Sequence, residues 1–263
     1  IGSPQEVVIT QVESLISEAV AQARSLAIPL LGIGVGVPGV VNHCVNVPAL
    51  GWKEVPLKQN WEEQISLPVI VDNKARAAAI AEALYGSARD VSNFIYLSIV
   101  TDKRSTVEAA VVTDGFLYRG ASGRAVDVGH MVLDPNGPLC TCGQQGCWQV
   151  TADVAREVEL ARQRLQTGEA SVLQAYAADG YATLEHRAIH QAAVDGDPLA
   201  RQVASSVLLS HALGITNLVL LFDPELVVIG WETLILPSAY TARMHIMDSM
   251  PEFDIPAAVR AQL

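Results

Sequence analysis

The sequence predicts an α/β protein with a largely parallel sheet, because helical and strand-like segments alternate along the chain. The chain has 263 residues and half of them are hydrophobic, which is enough to bury one large core or two smaller ones. We find no internal repeat with a period of about 20 to 50 residues. The order of the segments is therefore the main guide to the fold.

The first segments form one α/β unit. Apolar residues recur at helical spacing over Glu6–Leu26, which predicts a helix. The apolar segment Leu30–Val37 predicts a buried strand, and Leu67–Val71 predicts a second one. The alanine-rich segment Ala75–Tyr85 predicts the next helix, because alanine has the highest helix propensity. This unit closes in the loop Ser87–Ser92.

We place the domain boundary in that loop, so residues 1–91 form an N-terminal α/β lobe and residues 92–263 a C-terminal one. The second lobe opens with a strand, Asn93–Ile99, and one arm of a hairpin, Val107–Val112. Three helices and a strand are predicted after these: Val154–Thr167, Ala170–Ala177, Asp197–Asn217 and Leu226–Ile229. The first residue is Ile1 and not Met, so we expect a fragment or a processed form whose first lobe is incomplete at its start.

The chain is acidic, with a net charge of −11 and 17% charged residues. Contacts to nucleic-acid phosphates need clustered lysine and arginine, and no basic stripe is present. No apolar run approaches the ~20 residues that span a bilayer, and the start lacks the pattern of a secretory signal. We therefore expect a cytoplasmic protein that does not itself bind DNA or a membrane.

Three cysteines lie within eight residues, Cys140, Cys142 and Cys147, and His130 precedes them. Thiolates and imidazole are preferred zinc ligands, and four of them fill the tetrahedral shell of the ion. No position is then left for a catalytic water, so we predict a structural zinc ion. Clustered cysteines in a long chain also favour metal over disulfides. The fourth cysteine, Cys44, is expected to be a buried or half-buried thiol.

Two other interpretations of the cysteine cluster stay open, namely three free thiols in a loop or a redox pair. One residue separates Cys140 from Cys142, whereas redox pairs have two, so the redox pair is disfavoured. Three sulfurs can reach one ion only if the loop folds tightly. Gly143 and Gly146 permit such a loop, because glycine adopts positive φ without strain.

The sequence VDVGH of residues 126–130, followed by CTCGQQGC of residues 140–147, resembles the signature of the ROK family of repressors and sugar kinases. Three further stretches resemble the family in order and spacing: Gly32–Val41, Val71–Glu82 and Leu221–Gly230. The resemblance implies an actin-like or RNase H-like sugar-kinase fold with two lobes and a ligand cleft between them. The family's kinases phosphorylate a hexose from ATP. Its members with an N-terminal helix-turn-helix are sugar-responsive transcriptional regulators.

Phosphoryl transfer to a sugar needs a general base, which in the family kinases is the aspartate of an Asn-Asp pair. The matching pair is Asn73-Lys74, so Lys74 occupies the base position and we predict no catalytic residue. A lysine ammonium donates hydrogen bonds and cannot accept the proton. The neighbouring Asp72 is expected to point elsewhere.

The ATP-binding elements of the family are altered as well. The segment Val100–Ala109 contains no glycine where the family kinases have a glycine-rich phosphate turn. In that segment, Asp102 and Glu108 would repel phosphates. Trp231 follows Gly230 where the kinases have a second glycine, and its indole is expected either to fill the nucleotide pocket or to pack at a domain edge. No D-x-G-G-T phosphate turn precedes the first helix.

By resemblance, five residues match those that hold the sugar in the family: Asn73, Lys74, Asp127, His130 and Gln149. All five can hydrogen-bond a polyol, and a zinc ion would fix His130 and the loop before Gln149. The alternative is an ion pair between Lys74 and Asp127 that closes a cleft without a ligand.

These patterns favour the effector-binding and oligomerisation part of a ROK-type transcriptional regulator without kinase activity. The resemblance implies that DNA is bound by an upstream helix-turn-helix outside this chain. It also implies a homodimer or tetramer, with the interface on the C-terminal lobe. Two alternatives stay open, a ROK kinase for a hexose or amino sugar, and a binding or scaffold protein without a role at DNA.

Overall fold

The computed structural model describes residues 5–101 and 105–231, apart from the side chains of three residues, Ala49, Thr101 and Trp231. They form two compact units. The first consists of residues up to 81 together with 118–125, and the second of 82–117 and the residues from 126 onward. The lobe boundary between residues 91 and 92 stays a prediction. Two expectations fall outside the described residues and side chains, namely the repulsion of phosphates by Asp102 and the place of the Trp231 indole.

Among its described residues, the first unit contains two helices, most of a third, and two small sheets. The helices are α1 Gln5–Ser25, α2 Leu57–Ile65 and α3 Lys74–Tyr85. The strands are β1 Ile33–Val37, β2 Val40–Val41, β3 Val45–Val47, β4 Trp52–Val55 and β5 Val69–Asn73. β1 and β5 are parallel, whereas β2, β3 and β4 form an antiparallel meander. The sequence predicted α1, β1, β5 and α3 to within a few residues, but it missed the meander and α2.

The core of the first unit joins the parallel pair to the meander and to α2. Two tryptophans, Trp52 and Trp61, supply its largest side chains, and both are buried. The indole N–H of Trp61 donates to Glu13 of α1 at 3.2 Å, so α1 is held against this core by a polar contact as well as by its apolar face. The packing fixes the carboxyl end of β5, where Asn73 and Lys74 lie.

The described part of the second unit is built on a four-stranded sheet in the order β8-β7-β6-β9. Its strands are β6 Phe94–Thr101, β7 Ser105–Thr113, β8 Phe116–Leu117 and β9 Leu226–Trp231. Among the described strands, only β1–β5 and β6–β9 pair in parallel, so the expected largely parallel sheet is wrong. The reason is local, because hairpins connect β6 to β7 and β7 to β8. The second hairpin turns at Asp114 and Gly115, whose φ angles of 51° and 79° suit a two-residue turn.

The helices of the second unit are α4 Trp148–Thr151, α5 Val154–Gln166, α6 His186–Val194 and α7 Pro198–Phe222. A 3₁₀ helix, Val172–Asp179, replaces the α-helix predicted near residues 170–177. α7 continues beyond its predicted end at Asn217, and the sequence missed α6. Of the helices described, α7 alone is long and apolar enough to cross a membrane. Because 12 of its residues are buried, it packs as a core helix between the sheet and α5 and α6.

Candidate metal centre and ligand site

The four predicted metal ligands converge in the structure. One ligand atom from each of His130, Cys140, Cys142 and Cys147 lies within 4.8 Å of all the others. The Sγ of Cys140 is 3.5 Å from Nδ1 of His130, and the Sγ of Cys142 is 3.5 Å from that of Cys147. Ligands bound ~2.0–2.3 Å from one zinc ion are separated by about 3.5–4 Å, so this arrangement fits such an ion. We call residues 130–147 the metal loop.

Backbone hydrogen bonds and two glycines shape the metal loop. The N–H of Cys140 donates to the carbonyl of Gln144 at 2.8 Å, and that of Gly143 donates to Cys140 at 2.9 Å. Gly143 and Gly146 have φ angles of +91° and +69°. A Cβ on Gly146 would lie 1.5 Å from the carbonyl oxygen of Asp134, so only glycine fits there. The expected role of both glycines agrees with this geometry.

The cysteines of the cluster are unequal in acidity. Burial raises the pKa of Cys147 to about 12, and the sulfurs of Cys142 and Cys140 contribute to the rise. Burial also raises the pKa of Cys140, but hydrogen bonds from Cys142, Cys147 and Gln149 outweigh it and lower that pKa to about 6. Thiolates this close repel one another, and a divalent cation offsets the repulsion. Cys44 belongs to the first unit and is half-buried, as expected.

Gln149, on α4, contacts the metal loop directly. Its Nε2 donates to the Sγ of Cys140 at 3.5 Å. On the other side, a Cβ on Gly129 would lie 2.9 Å from the Oε1 of Gln149. The amide is therefore confined between the loop and the 3₁₀ helix that carries His130. Gln149 is predicted by resemblance as a sugar ligand, which stays a prediction, and no pattern in the sequence indicated its contact with Cys140.

Trp148 joins the metal loop to α7. It follows Cys147 directly and is fully buried. Its indole N–H donates to Nδ1 of His211 at 3.1 Å, and a Cβ on Gly214 would lie 2.5 Å from its ring. Burial lowers the pKa of His211 to about 4, so the imidazole is neutral at pH 7 and accepts through Nδ1. No pattern in the sequence pointed to this contact.

In the first unit, Asn73 and Lys74 lie where β5 passes into α3. Oδ1 of Asn73 accepts from the N–H of Ala75 at 2.8 Å, and its Nδ2 donates to the carbonyl of Gly39 at 2.9 Å. Lys74 begins α3 and is half-buried. A Cβ on Gly36 would lie 3.4 Å from the Cα of Lys74, so the glycine makes room for it. Ligands of α/β proteins commonly bind at this end of a strand.

An ion-pair network around the buried carboxylate of Asp72 lies next to these two residues. Oδ1 of Asp72 accepts from Nε of Arg76 at 2.6 Å, and its Oδ2 accepts from Arg119 at 2.7 Å. Arg76 also donates to the carbonyls of Val41 and Gly123 at 2.9 and 3.0 Å. Burial alone would raise the pKa of Asp72, but Arg119 and Arg76 together hold it below its usual value. The carboxylate is thus ionised and engaged. The sequence missed this network.

The five predicted sugar ligands fall in both units. Asn73 and Lys74 belong to the first, and Asp127, His130 and Gln149 to the second. Within the second unit, His130 and Gln149 both contact Cys140. Asp127 is exposed and immediately precedes the 3₁₀ helix Val128–His130. The sugar-binding role of the five residues stays a prediction, and so does the alternative ion pair between Lys74 and Asp127.

Comparison with known proteins relates the chain to both regulators and kinases. A family model described as "ROK family" matches residues 2–247. A xylose repressor from Caldicellulosiruptor bescii is 31% identical over 240 residues, which cover 88% of this chain and 57% of the repressor. A glucokinase from Halalkalibacterium halodurans is 32% identical over 209 residues, which cover 76% of this chain and 61% of the kinase. The chain thus spans less than two thirds of either relative.

The fold agrees with these relationships. The crystal structure of a ROK family transcriptional regulator, a homologue of the E. coli MLC protein, matches with a TM-score of 0.76 and 29% identity. The match covers 98% of this chain and 61% of that regulator. The predicted class, an α/β fold of the sugar-kinase type, is confirmed. The Cys₃His cluster within it is consistent with a zinc knuckle.

Proposed function

The chain belongs to the ROK family, and we propose that it is the sugar-binding and oligomerisation part of a transcriptional regulator of that family, without kinase activity. The proposal depends mainly on the residues around position 74. By family resemblance a kinase would have its basic aspartate there, whereas this chain has Lys74. Asp72 is a poor substitute, because its carboxylate oxygens accept hydrogen bonds from Arg76 and Arg119. A carboxylate with a lowered pKa is also a weak base.

The relatives support a regulator as well. The matched repressor from C. bescii is named for xylose, and the regulator of known structure matches over nearly the whole chain. Under this proposal DNA is bound by an upstream helix-turn-helix outside the chain, in a cytoplasmic homodimer or tetramer. The net charge of the chain, −11, fits a region of the regulator that does not itself contact DNA.

We propose zinc as the metal and a structural role for it. Three thiolates and one imidazole form a soft ligand set that favours zinc over magnesium or calcium. His130, Cys140, Cys142 and Cys147 would hold it. A zinc ion with four protein ligands offers no open position for substrate, so its contribution would be to fix His130 and the start of α4 beside the effector.

The matched glucokinase favours a second candidate function, an ATP-dependent kinase for a hexose or an amino sugar. An assay of ADP release separates the regulator from the kinase. The zinc-loaded chain would be incubated with ATP and each member of a panel of hexoses and amino sugars. We expect no release above the enzyme-free background. Sugar-dependent release that matches the amount of sugar phosphate formed would refute the regulator proposal. The variant Asp72→Asn would then show whether Asp72 is the base.

A further inference from the structure

The amide of Gln149 lies beside the parts of the chain that carry the metal ligands. Its Nε2 donates a hydrogen bond to Sγ of Cys140 at 3.5 Å. On its other side, its Oε1 lies close to Gly129, which directly precedes His130. Gln149 itself is the second residue after Cys147. One half-buried amide is therefore adjacent to the segments that carry three of the four ligands.

The absence of a side chain at residue 129 makes room for this amide. Gly129 is buried, and a Cβ there would lie 2.9 Å from Oε1 of Gln149 and 2.5 Å from the carbonyl oxygen of Val107. Both distances are shorter than a carbon and an oxygen tolerate without displacing one another. The 3₁₀ helix that carries His130 therefore fits between β7 and Gln149 because residue 129 is glycine. The surroundings thus hold the amide in place, as a donor with one target requires.

The chemistry of an amide suits this position. Three thiolates around one divalent cation leave the site with a net negative charge, so the sulfurs retain part of theirs. An amide N–H donates to such a sulfur, whereas an ionised carboxylate only accepts hydrogen bonds. A carboxylate 3.5 Å from Sγ of Cys140 would also repel the thiolate. Glutamine at residue 149 therefore stabilises the Cys140 thiolate, and a glutamate of the same shape would not.

We propose that Gln149 is a positioning residue of the metal site. Its amide holds the thiolate of Cys140 in place for the ion and withdraws negative charge from that sulfur. Groups that hydrogen-bond to metal ligands commonly change the metal affinity by about 10–100-fold. This role differs from the sugar contact that the family resemblance implies. The inference rests on the proposed function, because it concerns the zinc site that forms part of it.

The affinity for Zn²⁺ tests the inference on the purified chain. Competition with a chromophoric chelator would compare the wild type with Gln149→Leu and Gln149→Glu. We expect about tenfold weaker binding in the leucine variant, which loses the donor, and a larger loss in the glutamate variant, which also adds a negative charge. Gln145→Glu is the matched control, because it adds the same charge through an exposed side chain nearby in the sequence. Its affinity should stay within about twofold of the wild type, since solvent and salt screen that charge.

Two further measurements distinguish this role from general damage to the metal loop. In the Co²⁺-loaded protein, loss of the N–H···S bond raises the energy of the sulfur electrons. The thiolate-to-cobalt charge-transfer band of Gln149→Leu should therefore move to longer wavelength. In the zinc-loaded protein, an alkylating reagent should modify Cys140 faster in Gln149→Leu than in the wild type, because its thiolate is more electron-rich. Cys142 should react at the wild-type rate, which peptide mass spectrometry would show.

The outcomes separate this inference from the proposed zinc site. Wild-type affinity in Gln149→Leu, an unshifted band, or equal acceleration at Cys140 and Cys142 would each overturn the inference and leave the zinc site intact. Equal loss of affinity in Gln145→Glu and Gln149→Glu would also overturn it, because charge alone would then explain the effect. A wild-type chain that binds no zinc would refute the zinc site and the inference together.

Discussion

The indole of Trp148 donates a hydrogen bond to the neutral imidazole of His211 at 3.1 Å, inside the core of the second unit. Both side chains are almost completely buried. Trp148 immediately follows the metal ligand Cys147, and His211 lies near the middle of α7. The contact therefore joins one end of the metal loop to α7, the longest of the described helices, so that the order of the loop and the packing of α7 depend on each other.

Replacing His211 with leucine should destabilise the fold by about 1–3 kcal/mol, because the buried indole N–H of Trp148 would lose its acceptor. Urea unfolding of the zinc-loaded protein measures the change. His211→Gln is the matched control, since its amide oxygen can still accept the bond. Equal stability of the leucine and glutamine variants would contradict the role given to this hydrogen bond.

Stability should fall as the pH falls from about 6.5 to about 4, because of His211. Burial lowers its pKa in the folded state to about 4, whereas the unfolded chain binds the proton at about 6.5. The unfolded state thus binds more protons in this window, and the contribution that is lost amounts to about 3 kcal/mol. Below that window both states are protonated and the contribution stays constant.

The free energy of unfolding, measured across this pH window for the wild type and for His211→Gln, checks the prediction. Other titrating groups are common to the two proteins, so the difference between the curves isolates His211. The variant should show the shallower fall. Parallel curves would mean that His211 already carries a proton in the folded state.

The metal loop could be predicted from the sequence because its information is local. The four ligands lie within residues 130–147 together with the two glycines that permit the tight loop, Gly143 and Gly146, and few metals other than zinc prefer three thiolates with an imidazole. Long helices such as α1 could also be predicted, because their apolar periodicity extends over several turns. The sheet was predicted less well, because a pattern of apolar strands does not distinguish a short hairpin from a parallel crossover.

The contacts that surround the candidate site could not be predicted, because they join residues far apart in sequence. Arg119 is 47 residues from Asp72, and His211 is 63 residues from Trp148. Nothing in the composition of either segment signals its partner. The network at Asp72 also explains why an acid beside the expected base position need not act as a base. The carboxylate of Asp72 is paired with Arg76 and Arg119, and these two arginines connect residues 118–125 to the rest of the first unit.

Metal analysis of the purified chain should find one zinc ion per molecule, bound by the Cys₃His cluster. Cys147→Ser should abolish most of this zinc and lower the melting temperature, because the ligand is fully buried and its neighbour Trp148 anchors α7. Cys44→Ser is the matched control and should retain zinc and stability. Equal zinc loss in both variants, or none in Cys147→Ser, would contradict the assigned ligand set.

Gly146→Ala should prevent the metal loop from closing, whereas Gly143→Ala should be tolerated. Both glycines have positive φ, which costs an alanine about 1–2 kcal/mol. They differ in their surroundings: the new Cβ at residue 146 would collide with the backbone of Asp134 at 1.5 Å, while nothing lies within 4 Å at residue 143. The backbone of Asp134 cannot move aside as a flexible side chain would. We therefore expect Gly146→Ala to lose its zinc, and Gly143→Ala to keep its zinc with a modestly lower melting temperature. The zinc content and the thermal unfolding of the two variants test this prediction. Equal zinc content in both would contradict the role given to the close contact between Gly146 and Asp134.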